Sequence, residues 1–267
     1  MRTIFGAFGF DPSDVKLLWN FFKMNLRDKY LGSSLGSAWA VANPLLLLSI
    51  FTFVFTYVFG LRFPGLETKF SYTIWLVAGY GPWLATTEAI MSATMSVVSA
   101  AGLVKNMAFK TEILPIAAAL TGLLPFGVCS SFLIVLLFVD GNVLSWHALM
   151  VVLIAILQFA FITSLSFFLS VITVFIRDFG IALPNILMVV LFMTPIFYPL
   201  ESLPRIMQIV SYANPFYIIC EGYRQTLVHH QMPNMFGLVY LATISSGLGV
   251  FGLRVFRRLK GYLEARL

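Results

Sequence analysis

The sequence predicts an all-α integral membrane protein: six transmembrane helices, an N-terminal amphipathic interface helix, and outward-facing re-entrant helices before the last span. Three observations lead there. Hydrophobic residues make up 60% of the 267 and charged residues only 10%, against about 25% charged in globular domains. From Leu31 to Leu61 there is no charge at all, and about twenty such residues cross a bilayer as helix, because lipid cannot satisfy an unpaired backbone group. Five further long apolar segments follow, with Lys and Arg gathered between and outside them. That placement also argues against nucleic acid as the partner of the +6 net charge.

The elements follow in order as parts of one unit, 1–267. Asp11-Pro12-Ser13-Asp14 reads as a helix start, with Asp11 as N-cap and Pro12 at the first helical position. The helix over 11–31 carries Val15, Leu18, Trp19, Phe22, Leu26 and Tyr30 on one face and Lys16, Asn20, Lys23 and Arg27 on the other. That pattern belongs in a membrane interface. Spans are expected at 36–59, with a kink at Asn43-Pro44, and at 72–98, where Glu88 is the single charge placed mid-membrane. A short amphipathic helix over 103–112, ended by Pro115, precedes spans at 116–139, 146–175 and 181–197. Segment 199–233 holds Pro199, Pro204, Pro215 and Pro233, and its apolar run is too short to cross. It reads as two short re-entrant helices broken at Asn214-Pro215, tolerated where protein surrounds them. The last span is 235–256, followed by a basic tail.

Thirteen of the 17 Lys and Arg residues fall on the side of the termini, the Lys105/Lys110 loop and Arg177. Positive charge stays in the cytoplasm, so both termini are expected there. Cys129 and Cys220 lie far apart in apolar surroundings and do not suggest a disulfide framework. No short apolar core with a small-residue cleavage site opens the chain, so no cleaved signal peptide is expected. No clustered acids or nucleophile–base pair is visible, which excludes an obvious membrane-embedded enzyme. An ion-coupled transporter would place ionisable residues in several spans; here Glu88 stands alone. Adjacent His229 and His230 point apart on regular backbone, and no metal site is expected.

Five stretches carry a resemblance: LGSSLGSAWAVANPLLLLSIFTFVFTYVF, LVAGYGPWL, LVKNMAFKTEILPIAAAL, FIRDFGIALPNILMVVLFMTPIFYP and NPFYIICEGYRQTL. Together they resemble the permease subunit of ABC-2-type polysaccharide exporters, which move O-antigen, capsule or teichoic acid chains built on a lipid carrier. The resemblance runs from about Tyr30 to Thr226. It implies six spans per subunit, a homodimer in the bacterial inner membrane, two copies of a cytoplasmic ABC ATPase, and a polyprenyl-linked polysaccharide as cargo. Cargo of the capsule, teichoic acid, lipid or drug kind is the alternative. The chain has no Gly-Lys dipeptide and hence no phosphate-cradling G-x-x-x-x-G-K-[ST] loop. ATP and Mg²⁺ are therefore expected on the partner, and no cofactor on this chain.

Candidate site residues fall into three groups. Leu103, Lys105, Asn106, Met107, Phe109, Lys110 and Glu112 offer polar edges around apolar bulk. By residue type they suit a groove on another protein or a loop resting on headgroups, and the resemblance implies ATPase coupling. Arg177 and Asp178 form a smaller second contact or a plain topological charge pair. Phe51, Phe55, Tyr57, Phe59, Tyr80, Trp83, Phe197, Tyr198 and Tyr217 offer flat rings that suit sliding sugars, or a lipid-facing aromatic belt. Glu88 joins them as a sugar-hydroxyl partner or a structural acid. Lys23, Arg27 and Lys29 offer cations for a lipid diphosphate, or for anionic lipid generally. Glu221 and Arg224, three apart on a helix, are expected to pair with each other.

Overall fold

The computed structural model describes residues 10–30, 33–58, 71–141 and 145–267; the loop carrying Arg62, Glu67 and Lys69, together with Phe59, lies outside them. The described chain is helical. Four helical stretches are long and apolar enough to cross a membrane: Gly36–Phe53, Ile113–Val139, Trp146–Phe175 and Met235–Leu263. A fifth apolar helix, Asp178–Met193, has 16 residues.

The central element is the helix Ser71–Ser99, α3 in chain order after α1 (Pro12–Tyr30) and α2 (Trp39–Phe53). Its 29 residues reach about 43 Å at 1.5 Å per residue. Most of its side chains are buried, from Tyr72 to Val97. Gly81, Ala85, Ala89 and Ala93 recur every fourth residue and line one face with small side chains. Along that stripe a Cβ on Gly122 would meet the Ala85 carbonyl oxygen and, at 2.8 Å, the Ala89 Cβ, while one on Gly81 would stand 2.9 Å from the Cys129 Cβ. Backbones approach closely through small residues where lipid supplies no hydrophobic drive between helices. Residues on the outer helices invert the soluble pattern. Gln158, Ser166, Ser170 and Thr173 of Trp146–Phe175 are buried, whereas Leu149, Val152 and Ile156 of the same stretch are exposed.

Boundaries differ from the sequence expectations in four places. The short helix before Pro115 covers Ala101–Asn106 (α4) and gives way to extended backbone at Met107. Pro115 does not end that helix; it sits in the first turn of Ile113–Ala119 (α5), where a missing N–H costs nothing. Gly36 turns the chain with φ +50° into span one, which ends in a wide helical turn over Val54–Val58. The basic tail continues the last helix to Arg266, because Leu253, Phe256 and Leu263 face inward at helical spacing and Arg254, Arg257 and Arg258 face out. Segment 199–233 contains the two short helices expected, Arg205–Tyr212 and Pro215–Leu227. Asn214 caps the second through its side chain, bonded to the Phe216 N–H at 3.0 Å.

Candidate functional site

The two ends of α3 are built differently. At its Ser99 end, α1, the 107–112 segment and the final helix are tied together by long charged side chains. Lys110 Nζ lies 2.6 Å from Asp14 and 3.1 Å from Asp11. Arg257 Nε donates to Glu112 Oε1 at 2.9 Å, and Lys260 donates to the Phe109 carbonyl at 3.0 Å. Asp11 stands at the N-cap position before Pro12, as expected, its carbonyl accepting the Val15 N–H at 3.3 Å, and the Asp14 carboxylate reaches back to accept the Asp11 backbone N–H at 2.8 Å. Burial alone would raise the Asp14 pKa, but the Lys110 ammonium and the Asp11 N–H outweigh it and hold the carboxyl below its usual range. The same bonds raise Lys110.

The coupling candidates divide on this frame. Phe109 is half-buried, its ring centroid 5.5 Å from that of Phe21 on α1. Lys110 and Glu112 are engaged in the ion pairs above, and Leu103 packs against the apolar cluster of Val97, Ala100 and Val104. Lys105, Asn106 and Met107 are exposed, Met107 to 58%. Arg177 and Asp178 are exposed where Asp178–Met193 begins, and the neighbouring Gly180 approaches Met95 near the same end of α3. On α1, Phe21 and Phe22 face the protein, while Val15 and Trp19, expected on that face, are exposed.

Lys29 and Glu88, assigned to separate groups by sequence, form one ion pair at 2.5 Å. It lines a pocket of about 250 Å³ with Asn43, Pro44, Thr87 and Thr121. Next to it a groove of about 930 Å³ is lined by Lys23, Arg27, Asp28 and Ser37, and the two share Leu26, Tyr30, Ala40 and Leu124. Five of the aromatic candidates converge on the opposite half of α3. Phe197 stacks on Phe51 at 4.8 Å and on Phe55 at 5.1 Å, and Tyr80 stands 5.3 Å away. Tyr198 belongs to the same region, its hydroxyl donating to the Phe192 carbonyl at 2.6 Å. Trp83 packs apart on Phe216 and Tyr217 on Tyr212. Tyr80, Trp83, Phe197 and Tyr217 are buried within the chain. The side chain of Tyr57 and all of Phe59 lie outside the described residues.

At the far end of α3 stands Arg224, 1% exposed. Its guanidinium donates to three carbonyls: Trp75 at 3.3 Å, Pro195 at 3.1 Å and Ile196 at 2.5 Å. Its Cζ lies 3.5 Å from the centroid of the Trp75 ring. The expected partner Glu221 is present but more distant, at 3.6 Å. Gly79 makes room, since a Cβ there would stand 2.7 Å from the Arg224 Cζ. Beside it, Tyr223 donates to Gln158 Oε1 at 2.8 Å, and Gln158 donates to the Pro82 carbonyl and to Thr86. Sequence reading named Arg224 only as the partner of Glu221 and passed over the rest of this network. Its one signal was Gln158, an amide isolated in a charge-free span, which must find a partner in lipid. Among the described residues no three His, Cys, Asp or Glu side chains converge as a metal site would require.

A helical unit with four stretches long and apolar enough to cross a membrane, and with polar residues turned inward, is built as a multi-pass membrane protein. The chain belongs to the ABC-2 type transporter family, whose model matches residues 16–228. It is similar to the O-antigen export system permease protein RfbA of Myxococcus xanthus, 24% identical over 86% of each chain. A Klebsiella pneumoniae protein of the same name is 28% identical over 88% of this chain and 89% of its own, and a second from that organism is 26% identical over the same shares.

Proposed function

We propose that this chain is the membrane subunit of an ATP-driven exporter that moves lipid-linked, O-antigen-like polysaccharide across the bacterial inner membrane. The observation that carries the reading is the similarity to O-antigen export permeases along nearly the whole chain. Six passes result when α3 and Asp178–Met193 join the four long apolar stretches. Helices Arg205–Tyr212 and Pro215–Leu227 are then re-entrant on the outer side. Both termini lie in the cytoplasm with the Lys110, Glu112 and Arg257 lacing. Two copies form the pathway, and two ATPase subunits supply ATP and Mg²⁺ chemistry.

In this reading Lys105, Asn106 and Met107 meet the ATPase, with Arg177 and Asp178 beside them. Phe109, Lys110 and Glu112 pass the movement to α1 and the last helix. The groove at Lys23 and Arg27 receives the carrier diphosphate, and Lys29 leaves Glu88 to join it. Half-buried Phe51, Phe55 and Tyr198 lie closest to the pathway, backed by Tyr80 and Phe197.

Deletion of the gene, followed by glycan analysis and microscopy, tests the proposal. Finished polysaccharide should accumulate inside the cell. Normal surface glycan with no internal store overturns it, and loss of a capsule or wall polymer alone moves the cargo to that class. Met107→Asp should lower transport-coupled ATPase activity while the protein still assembles; unchanged export removes the coupling role.

A further inference from the structure

Between the two short helices and the start of the last one lies a cavity of about 460 Å³, within the size range of ligand sites. The rings of Tyr212 and Tyr217 form two of its walls, 6.1 Å apart and nearly perpendicular at 81°. Tyr240 adds a third side. Glu221 follows Tyr217 by one helical turn and lines the same cavity.

Part of the hydrogen-bonding capacity around the cavity is already engaged with the protein. The Tyr240 hydroxyl donates to the Ala213 carbonyl at 2.9 Å. Gln225 Oε1 accepts the Asn234 N–H at 2.8 Å, and Asn234 Oδ1 accepts the Gly237 N–H at 3.2 Å. Toward the cavity stand the rings of Tyr212 and Tyr217 and the Glu221 carboxylate. Arg224 reaches that carboxylate only at 3.6 Å, because its hydrogen bonds run to backbone carbonyls. Aromatic faces set at right angles around a carboxylate suit a cation within about 6 Å of a ring centroid. No Lys or Arg lines the cavity, so it offers no cationic side chain to an anionic group.

The position fits a lipid. The cavity opens beside the first turn of the apolar stretch Met235–Leu263, where headgroups meet hydrocarbon. Phe236, 88% exposed, and exposed Val239 continue from it along the helix, as a surface for acyl chains. We infer that this cavity binds the ammonium headgroup of a phospholipid, held by Tyr212, Tyr217, Tyr240 and Glu221. The inference needs only the membrane reading and does not depend on the exporter's cargo.

The full-length protein in mild detergent, titrated with an equimolar mixture of phosphatidylethanolamine and phosphatidylglycerol of matched chains, tests it by native mass spectrometry. The wild type should retain phosphatidylethanolamine over phosphatidylglycerol by roughly tenfold, the ratio expected when about 1.4 kcal/mol separates them. Tyr212→Ala and Glu221→Gln should each lower that ratio at least roughly threefold, with the ring and the charge contributing separately. Phosphatidylcholine should compete and maltotriose should not. Equal retention of both lipids, or a ratio unmoved by both variants, overturns the inference, and displacement by maltotriose makes the cavity a glycan subsite instead. Tyr212 is 58% exposed, so its truncation opens no core and keeps the test usable if Glu221→Gln folds poorly.

Discussion

Replacing Arg224 with Ala should cost more than any other single change in this fold. The substitution strips the charged donor from the carbonyls of Trp75, Pro195 and Ile196 and leaves Glu221 without its nearest cation. Hydrogen bonds between membrane helices average about 0.6 kcal/mol, so three of them contribute about 2 kcal/mol. Removing one partner of a buried pair costs about 3–5 kcal/mol in all. Partial exposure of Glu221 (24%) moves the expectation to the lower part of that range. At roughly 2–4 °C per kcal/mol for a chain of this length, the melting temperature should fall by about 6–12 °C. Arg224→Lys should recover less than half of this, because a single ammonium cannot reproduce a planar fork across three carbonyls. Exposed Arg254 provides the control, and its Ala variant should stay within about 0.5 kcal/mol of wild type. Thermal melting of detergent-purified protein, followed by fluorescence-detected size exclusion, reads all three. An Arg224→Ala protein melting within about 2 °C of wild type would refute the assignment of this guanidinium as the tie between those helices.

Further expectations follow from the same geometry. A double-mutant cycle of Gln158→Leu and Tyr223→Phe should show a coupling of about 0.6–1.7 kcal/mol; additive effects on melting would mean the buried bond contributes nothing. Lys29→Glu and Glu88→Lys should each shift stability by less than about 1 kcal/mol, since the pair is partly exposed. The reversed pair should restore stability, while export should stay impaired if Lys29 handles a diphosphate, and full recovery of export removes that role. The Lys110–Asp14 tie has a defined pH window. Asp14 is depressed from 3.8, so its stabilisation is present above that value and lost as pH falls through the lower folded value. Lys110 is raised from 10.5, so its contribution is present below that value and lost as pH rises through the higher one. Protection of the Pro12–Tyr30 amides against hydrogen exchange, taken relative to the intrinsic rate at each pH, should therefore fall only at the acidic and alkaline extremes. A loss of protection near neutrality would contradict the tie.

The helices were legible because lipid enforces long apolar runs, and Trp146–Phe175 starts and ends where the sequence placed it. The last helix was cut short because its basic residues read as an end, although Leu253, Phe256 and Leu263 kept a helical period past Phe256. Phe109 looked exposed from its charged neighbours; its companion Phe21 lies on another element, and no local pattern announces such a pairing. Lys29 and Glu88 were both noticed, but their meeting is a property of tertiary packing, in which α1 seats mainly on Ile113–Ala119 (α5). Arg224 was read as an outer-side charge paired with Glu221 on its own helix. Its burial depends on carbonyls freed where Asp178–Met193 ends, which sequence does not display. The rings of Phe51, Phe55, Tyr80 and Phe197 were chosen as a group by residue type, and the structure gathers them into one stack.

The contrast between the ends of α3 has a mechanical consequence. One extremity is clamped by a guanidinium whose rigid fork admits few geometries. The other is strung with Lys110 and Lys260, ammonium groups on flexible stems that can trade acceptors without unfolding anything, beside a partly exposed Arg257. The subunit is thus stiff at one pole and compliant at the other, so a push applied at the compliant pole would shift α1 and the last helix through re-pairing of charges before it bends the stiff one.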